Sequence, residues 1–83
     1  MKTAIIIDDE IAGLKHLSRL LSFCENVDLI ATNSVPEEAI DLITKHKPDI
    51  LFLDIEMPRI SGFEILEITR NQGLRPHVIF TTA

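Results

Sequence analysis

A chain of 83 residues has room for one domain, and a domain of this size buries only roughly 60% of the surface its extended form exposes, so its stability margin is narrow. A formal charge of −5, with 8 Lys and Arg scattered among 13 Asp and Glu, excludes the clustered cationic face that binds phosphate backbones. The single cysteine, Cys24, excludes an internal disulfide and a thiolate metal cage, and no apolar run nears the roughly 20 residues of a membrane span. The start, Met1-Lys2-Thr3 running straight into Ala4-Ile5-Ile6-Ile7, is too short for a secretory signal. A cytoplasmic protein without membrane or direct nucleic-acid contact is the expectation, with Cys24 as a small apolar filler near a helix end.

Four aromatic residues, all Phe, leave the core to Ile and Leu. Residues 3–8 open with near-continuous Ile, the composition of a strand buried on both faces. Ile11, Leu14, Leu17, Leu20 and Leu21 then recur at helical spacing, with Lys15, His16 and Arg19 on the other side, and predict a first helix ending near Phe23. Residues 27–32 predict a second strand. Ser34 and Glu37 have capping-box spacing, Pro36 suits a first turn, and a second helix is expected from about Val35 to Lys45, with Ala39, Ile40, Leu42 and Ile43 inward. Pro48 stops it. Asp49–Ile55, built around Ile50-Leu51-Phe52-Leu53, is the strongest strand signal in the chain. Ser61 and Glu64 form a second capping-box pair, ahead of a third helix presenting Phe63, Ile65, Leu66 and Ile68 and ended by Gly73. His77–Thr82 reads as a fourth strand.

The order βαβαβαβ predicts an α/β fold with a doubly wound parallel sheet, because crossovers between parallel strands are right-handed almost without exception. Ligands of such sheets bind beyond the carboxyl ends of the strands, which directs attention to residues 8–10, 32–35, 54–58 and 81–83. Asp8, Asp9 and Glu10 follow the first strand and Asp54 ends the third. If those strands are neighbours, about 4.8 Å apart, three carboxylates crowd into one pocket. Like charges at that range raise at least one pKa unless a cation neutralises them. Hard oxygen donors without His or Cys suit magnesium.

Each residue has a plainer use. Asp9 or Glu10 could cap the first helix, Asp54 could form a turn before Pro58, and Thr82 could be an ordinary strand residue. His16, His46 and His77 suit solvated or helix-end positions better than metal ligation. The functional reading rests on the coincidence of the acids at one edge of one sheet.

Ile5-Ile6-Ile7-Asp8-Asp9-Glu10, Leu51-Phe52-Leu53-Asp54-Ile55-Glu56-Met57-Pro58, Gly62 and Val78-Ile79-Phe80-Thr81-Thr82-Ala83 together resemble the signatures of response-regulator receiver domains, in order and at the family's spacing. The resemblance implies a flavodoxin-like sheet of order 2-1-3-4. It implies that Asp54 accepts a phosphoryl group from a phosphohistidine of a sensor kinase, switching an output domain, and that the domain is not itself an enzyme. Magnesium would be held by Asp9 and Asp54, by Asp8 directly or through water, and by the backbone carbonyl of Glu56. Thr82 would hydrogen-bond the phosphoryl group, whereas Thr81 would point to the opposite face. Met57, Pro58 and Gly62 would shape the acceptor loop. The segment around Asp54 and the Phe-Thr-Thr-Ala ending are similar to regulators with a LytTR-type DNA-binding domain.

Complete receivers also have a fifth strand, which carries a lysine for the phosphate site, and two further helices. The expectation from residues 1–83 is therefore an incomplete receiver whose phosphorylation is weak or absent. Its fourth strand would be left as an edge, favouring a homodimer or strand-exchanged oligomer. Two other readings compete. A magnesium-dependent phosphohydrolase of the haloacid dehalogenase type normally has a second aspartate two residues after the nucleophile, where Glu56 stands here. A pseudo-receiver used only for docking would not need the acidic trio.

Overall fold

The computed structural model describes residues 1–81. Its elements alternate along the chain: β1 (Lys2–Ile7), α1 (Ile11–Leu21), β2 (Val27–Asn33), a 3-10 turn (Pro36–Glu38) leading into α2 (Ala39–His46), β3 (Ile50–Asp54), α3 (Gly62–Asn71) and β4 (His77–Thr81). The strands form one parallel sheet in the order β2-β1-β3-β4, the expected doubly wound arrangement.

Burial explains which strands are central. Ala4, Ile5, Ile6 and Ile7 are all buried, as are Leu51, Phe52 and Leu53, so β1 and β3 are apolar on both faces. Alternation then divides them between two layers. Ile5, Ile7, Leu51 and Leu53 pack with Ala39 and Ile43 of α2 and Ile65 of α3. Ala4, Ile6 and Phe52 pack with Leu21 of α1 on the other face. The entry to β3 is clamped to β1: the Thr3 N–H and hydroxyl donate to Asp49 Oδ2 (2.9 and 3.1 Å), and the Asp49 N–H donates to Thr3 Oγ1 (3.0 Å). That clamp fixes the register in which Ile7 lies opposite Leu53.

Several local expectations need correcting. Ser34 and Glu37 do not cap α2. Asn33 Oδ1 accepts the Val35 N–H at 2.7 Å, a 3-10 turn follows, and Glu37 pairs with Arg59 instead. A short Asn side chain competes well for a nearby N–H, which moves the start of α2 to Ala39. α1 stops at Leu21, leaving Phe23 exposed, and Cys24 is exposed rather than a filler. Phe63 is also largely exposed, its ring tilted against Phe80 with centroids 5.0 Å apart. The second capping box is present as expected: Ser61 Oγ accepts the Glu64 N–H and the Glu64 carboxylate accepts the Ser61 N–H. Gly73 follows α3 in the left-handed region (φ 82°), where a residue without Cβ is unstrained.

Candidate functional site

Asp8 and Asp54 reach the same place by the same rule. Asp8 continues the alternation of Ala4 and Ile6, and Asp54 that of Ile50 and Phe52. Because Ile7 pairs with Leu53, the next residues, Asp8 and Asp54, stand side by side at the carboxyl ends of the central strands on the α1 face. Asp9 joins them from the following turn. One carboxylate oxygen from each of Asp8, Asp9 and Asp54 lies within 4.8 Å of the other two.

The three acids are not equivalent. Asp54 is only 3% exposed, and its Oδ1 is buried without a hydrogen-bond partner among the described residues. Asp8 Oδ1 accepts the Glu10 N–H at 2.9 Å, so the backbone entering α1 is satisfied by Asp8. Glu10 occupies the N-cap position, but no side chain caps the helix there, which removes the plain capping reading for Asp9 and Glu10. Burial pushes the Asp54 carboxyl up to about 6. The charge of Asp8 and contact with the Asp9 carboxyl add to the rise, and the Glu56 backbone N–H opposes it. A buried carboxyl with an orphaned oxygen, facing two further carboxylates, is the donor set a small hard dication fits.

Two glycines hold the cluster close, for different reasons. A Cβ on Gly62 would come within 2.3 Å of the Asp54 carbonyl oxygen, so only glycine lets α3 start against the back of the acceptor strand. The Gly62 N–H donates to the Ile55 carbonyl at 2.8 Å and closes the intervening loop. A Cβ on Gly13 would lie 2.9 Å from Asp8 Oδ2. Gly13 was invisible as a site residue in the helical pattern. The one available signal was a glycine inside an amphipathic helix, where it costs stability unless something approaches closely.

Glu56 has an exposed side chain and lies in the loop between Asp54 and α3. Thr81 is opposite Asp54 in the sheet, and its carbonyl accepts the Ile55 N–H at 3.2 Å. Thr82, and the role expected for it, lies outside the described residues. At the rim, Arg59 takes a left-handed conformation (φ 70°) and forms an ion pair with Glu37, tying the acceptor loop to the segment before α2. His16, His46 and His77 are all exposed and take no part in the acid cluster.

A parallel sheet with a carboxylate cluster beyond β1 and β3 defines an α/β domain whose site lies at its topological switch point. Residues 4–83 match the response regulator receiver domain family, and the chain belongs to that family. Over all 83 residues it is 39% identical to the transcriptional regulatory protein BtsR of Salmonella typhi and 35% identical to the sensory transduction protein LytT of Bacillus anthracis, covering 34% of each. It superposes on the signal receiver domain of the putative response regulator NarL from Mycobacterium tuberculosis with a TM-score of 0.91 at 26% identity, covering 99% of this chain and 66% of that one. The chain thus spans about a third of the length of these curated relatives, and it is a receiver domain of a two-component response regulator.

Proposed function

We propose that Asp54 is the phosphoryl acceptor of this receiver and that the donor is a phosphohistidine of a sensor kinase. The observation that carries the reading is the convergence of Asp8 and Asp9 on a buried Asp54 with an unpartnered Oδ1. In the transfer, an Asp54 carboxylate oxygen bonds to phosphorus as the phosphorus–nitrogen bond to histidine breaks. With the other ring nitrogen of the phosphohistidine protonated, the bonding pair of the broken bond stays on the histidine nitrogen and the products are an acyl phosphate and a neutral imidazole. The nucleophile must be ionised, and burial and its neighbours raise the Asp54 carboxyl to about 6, so that part of it stays protonated just below neutral pH. Magnesium bound by Asp8, Asp9, Asp54 and the Glu56 carbonyl would supply the positive charge that keeps the carboxylates ionised and offsets repulsion between anionic acceptor and anionic donor. The chain's own residues do the positioning. The Ile55–Gly62 hydrogen bond fixes the loop, and Asp8 is braced by the Glu10 N–H. Thr82 is assigned the hydrogen bond to the phosphoryl group.

The output of the switch is assigned to a part of the regulator that these 83 residues do not span, with likeness to the transcriptional regulatory protein BtsR favouring a transcriptional output. The domain acts in the cytoplasm without contacting DNA or membrane itself; no helix among the described residues is long and apolar enough to cross a membrane. In the isolated 83-residue chain, the outer edge of β4 has no strand partner among the described residues, and self-association of that chain is assigned to it. A manganese titration followed by amide line broadening tests the metal site. Broadening centred on residues 8, 9, 54 and 56, relieved by excess magnesium and weakened about tenfold in Asp54→Asn, is the expected result. Broadening spread evenly over surface carboxylates would contradict it.

A further inference from the structure

A second concavity, of about 520 Å³, opens at the opposite end of the sheet from the acids. Its lining includes Lys2 at the start of β1, Lys47 just after α2, Arg75 before β4 and His77 at its first residue. Three of the chain's 8 Lys and Arg thus gather in one cleft of a molecule whose net charge is −5. Asp49 is the one acid in the lining, and its Oδ2 is occupied by the N–H and hydroxyl of Thr3. Among the described residues, Arg59–Glu37 is the ion pair formed; Lys47 and Arg75 have no carboxylate within ion-pair distance, and Lys2 interacts with Asp49 only at longer range, adding to the Thr3 hydrogen bonds that hold that carboxyl below its ordinary value.

Two features prepare these cations. Arg75 Nη1 donates to the carbonyls of Arg70 and Leu74 (2.8 and 3.0 Å), which holds the guanidinium in place and lowers the ordering cost of a further contact. Lys47 stands in the left-handed region (φ 46°), where asparagine or glycine would be less strained. Beneath the charges, Ile43 and Leu74 supply apolar surface, with Pro48 and Pro76 beside them. The volume falls within the range of about 300–1,000 Å³ typical of small-molecule sites. β1 separates this cleft from Asp8 by about 20 Å, well beyond the Debye length of about 8 Å, so the acids at the far end repel a bound anion little.

We propose that this cleft binds a small organic phosphate. Its phosphate lies among Lys2, Lys47 and Arg75, and its apolar body rests on Ile43 and Leu74. Phosphate matches the charge of the trio, and a fixed guanidinium fork suits its oxygens. Phenyl phosphate is the probe, titrated into the ¹⁵N-labelled protein with inorganic phosphate and benzyl alcohol as controls. Saturable amide shifts at residues 2, 47, 49, 74, 75 and 77 are expected with phenyl phosphate, inorganic phosphate binding several-fold more weakly and benzyl alcohol giving none. Lys47→Asn with Arg75→Gln lowers affinity by about tenfold while leaving the dispersion of β1 and β3 amides intact, since asparagine accepts the left-handed backbone. Lys2→Gln, a change confined to an exposed side chain, weakens binding by a smaller factor. Unsaturable shifts, equal binding of inorganic phosphate (an adventitious ion only), or unchanged affinity in both variants would overturn the proposal.

Discussion

Asp54 gains a proton on folding more readily than it would in an open chain, and this has a consequence for stability. Its folded pKa is about 6 against an ordinary value of 3.8. The raised acid binds more protons folded than unfolded between those values. Stability is therefore fully present below about pH 4, falls as pH rises to about 6, and stays reduced above it. The shift corresponds to about 3 kcal/mol, which screening at the mouth of the pocket brings to about 1–2 kcal/mol. Thermal melts in a chelator between pH 4 and 8 should show that decline in the native protein and not in Asp54→Asn, which should be the more stable of the two at pH 7.5. Equal pH dependence of both would contradict the crowding of Asp8, Asp9 and Asp54. Gly62→Ala acts from the other side of the same residue. With a Cβ forced to within 2.3 Å of the Asp54 carbonyl, backbone must move. We expect a loss of about 2–4 kcal/mol in urea denaturation, together with weaker manganese binding.

Two elements with the same signature begin differently, and the contrast is measurable. Ser61 caps α3 by accepting the Glu64 N–H, so Ser61→Ala should cost about 1 kcal/mol in urea denaturation. Ser34 has the same spacing to Glu37 and no cap bond, so Ser34→Ala should change stability by less than about 0.5 kcal/mol. A loss of similar size in both would mean that the capping box forms at α2 after all. The contrast shows where sequence reading succeeds. Apart from the start of α2, periodicity placed the strands and helices within one or two residues, because β1 and β3 are buried on both faces and α1 to α3 on one. It failed at the start of α2, where Asn33 Oδ1 accepts the Val35 N–H and a 3-10 turn precedes the helix. It also missed Gly13, whose role depends on a carboxylate brought near only by the fold. The Asp8–Asp9–Asp54 cluster was legible because strand pairing between β1 and β3 converts two distant acidic positions into neighbours.

At the scale of the whole molecule, charge is arranged along the strands: acids beyond the carboxyl ends of β1 and β3, cations at the opposite end. One lateral edge, that of β4, presents backbone groups with no strand partner among the described residues, beside half-buried Val78 and Phe80 and exposed Ile79. Strand edges of that kind pair with other chains. Sedimentation of the 83-residue chain at micromolar concentration should therefore show reversible association, and a lysine placed at Ile79 should suppress it. A clean monomer at every concentration would contradict the assignment. Asp54 as the phosphoryl acceptor is checked by intact and peptide mass spectrometry of the regulator after incubation with a phosphorylated sensor kinase and magnesium. One hydroxylamine-labile phosphoryl group is expected, mapped to Asp54, absent in Asp54→Asn and lost when magnesium is chelated. A phosphoryl group mapped to any other residue, or one that persists in Asp54→Asn, would contradict it.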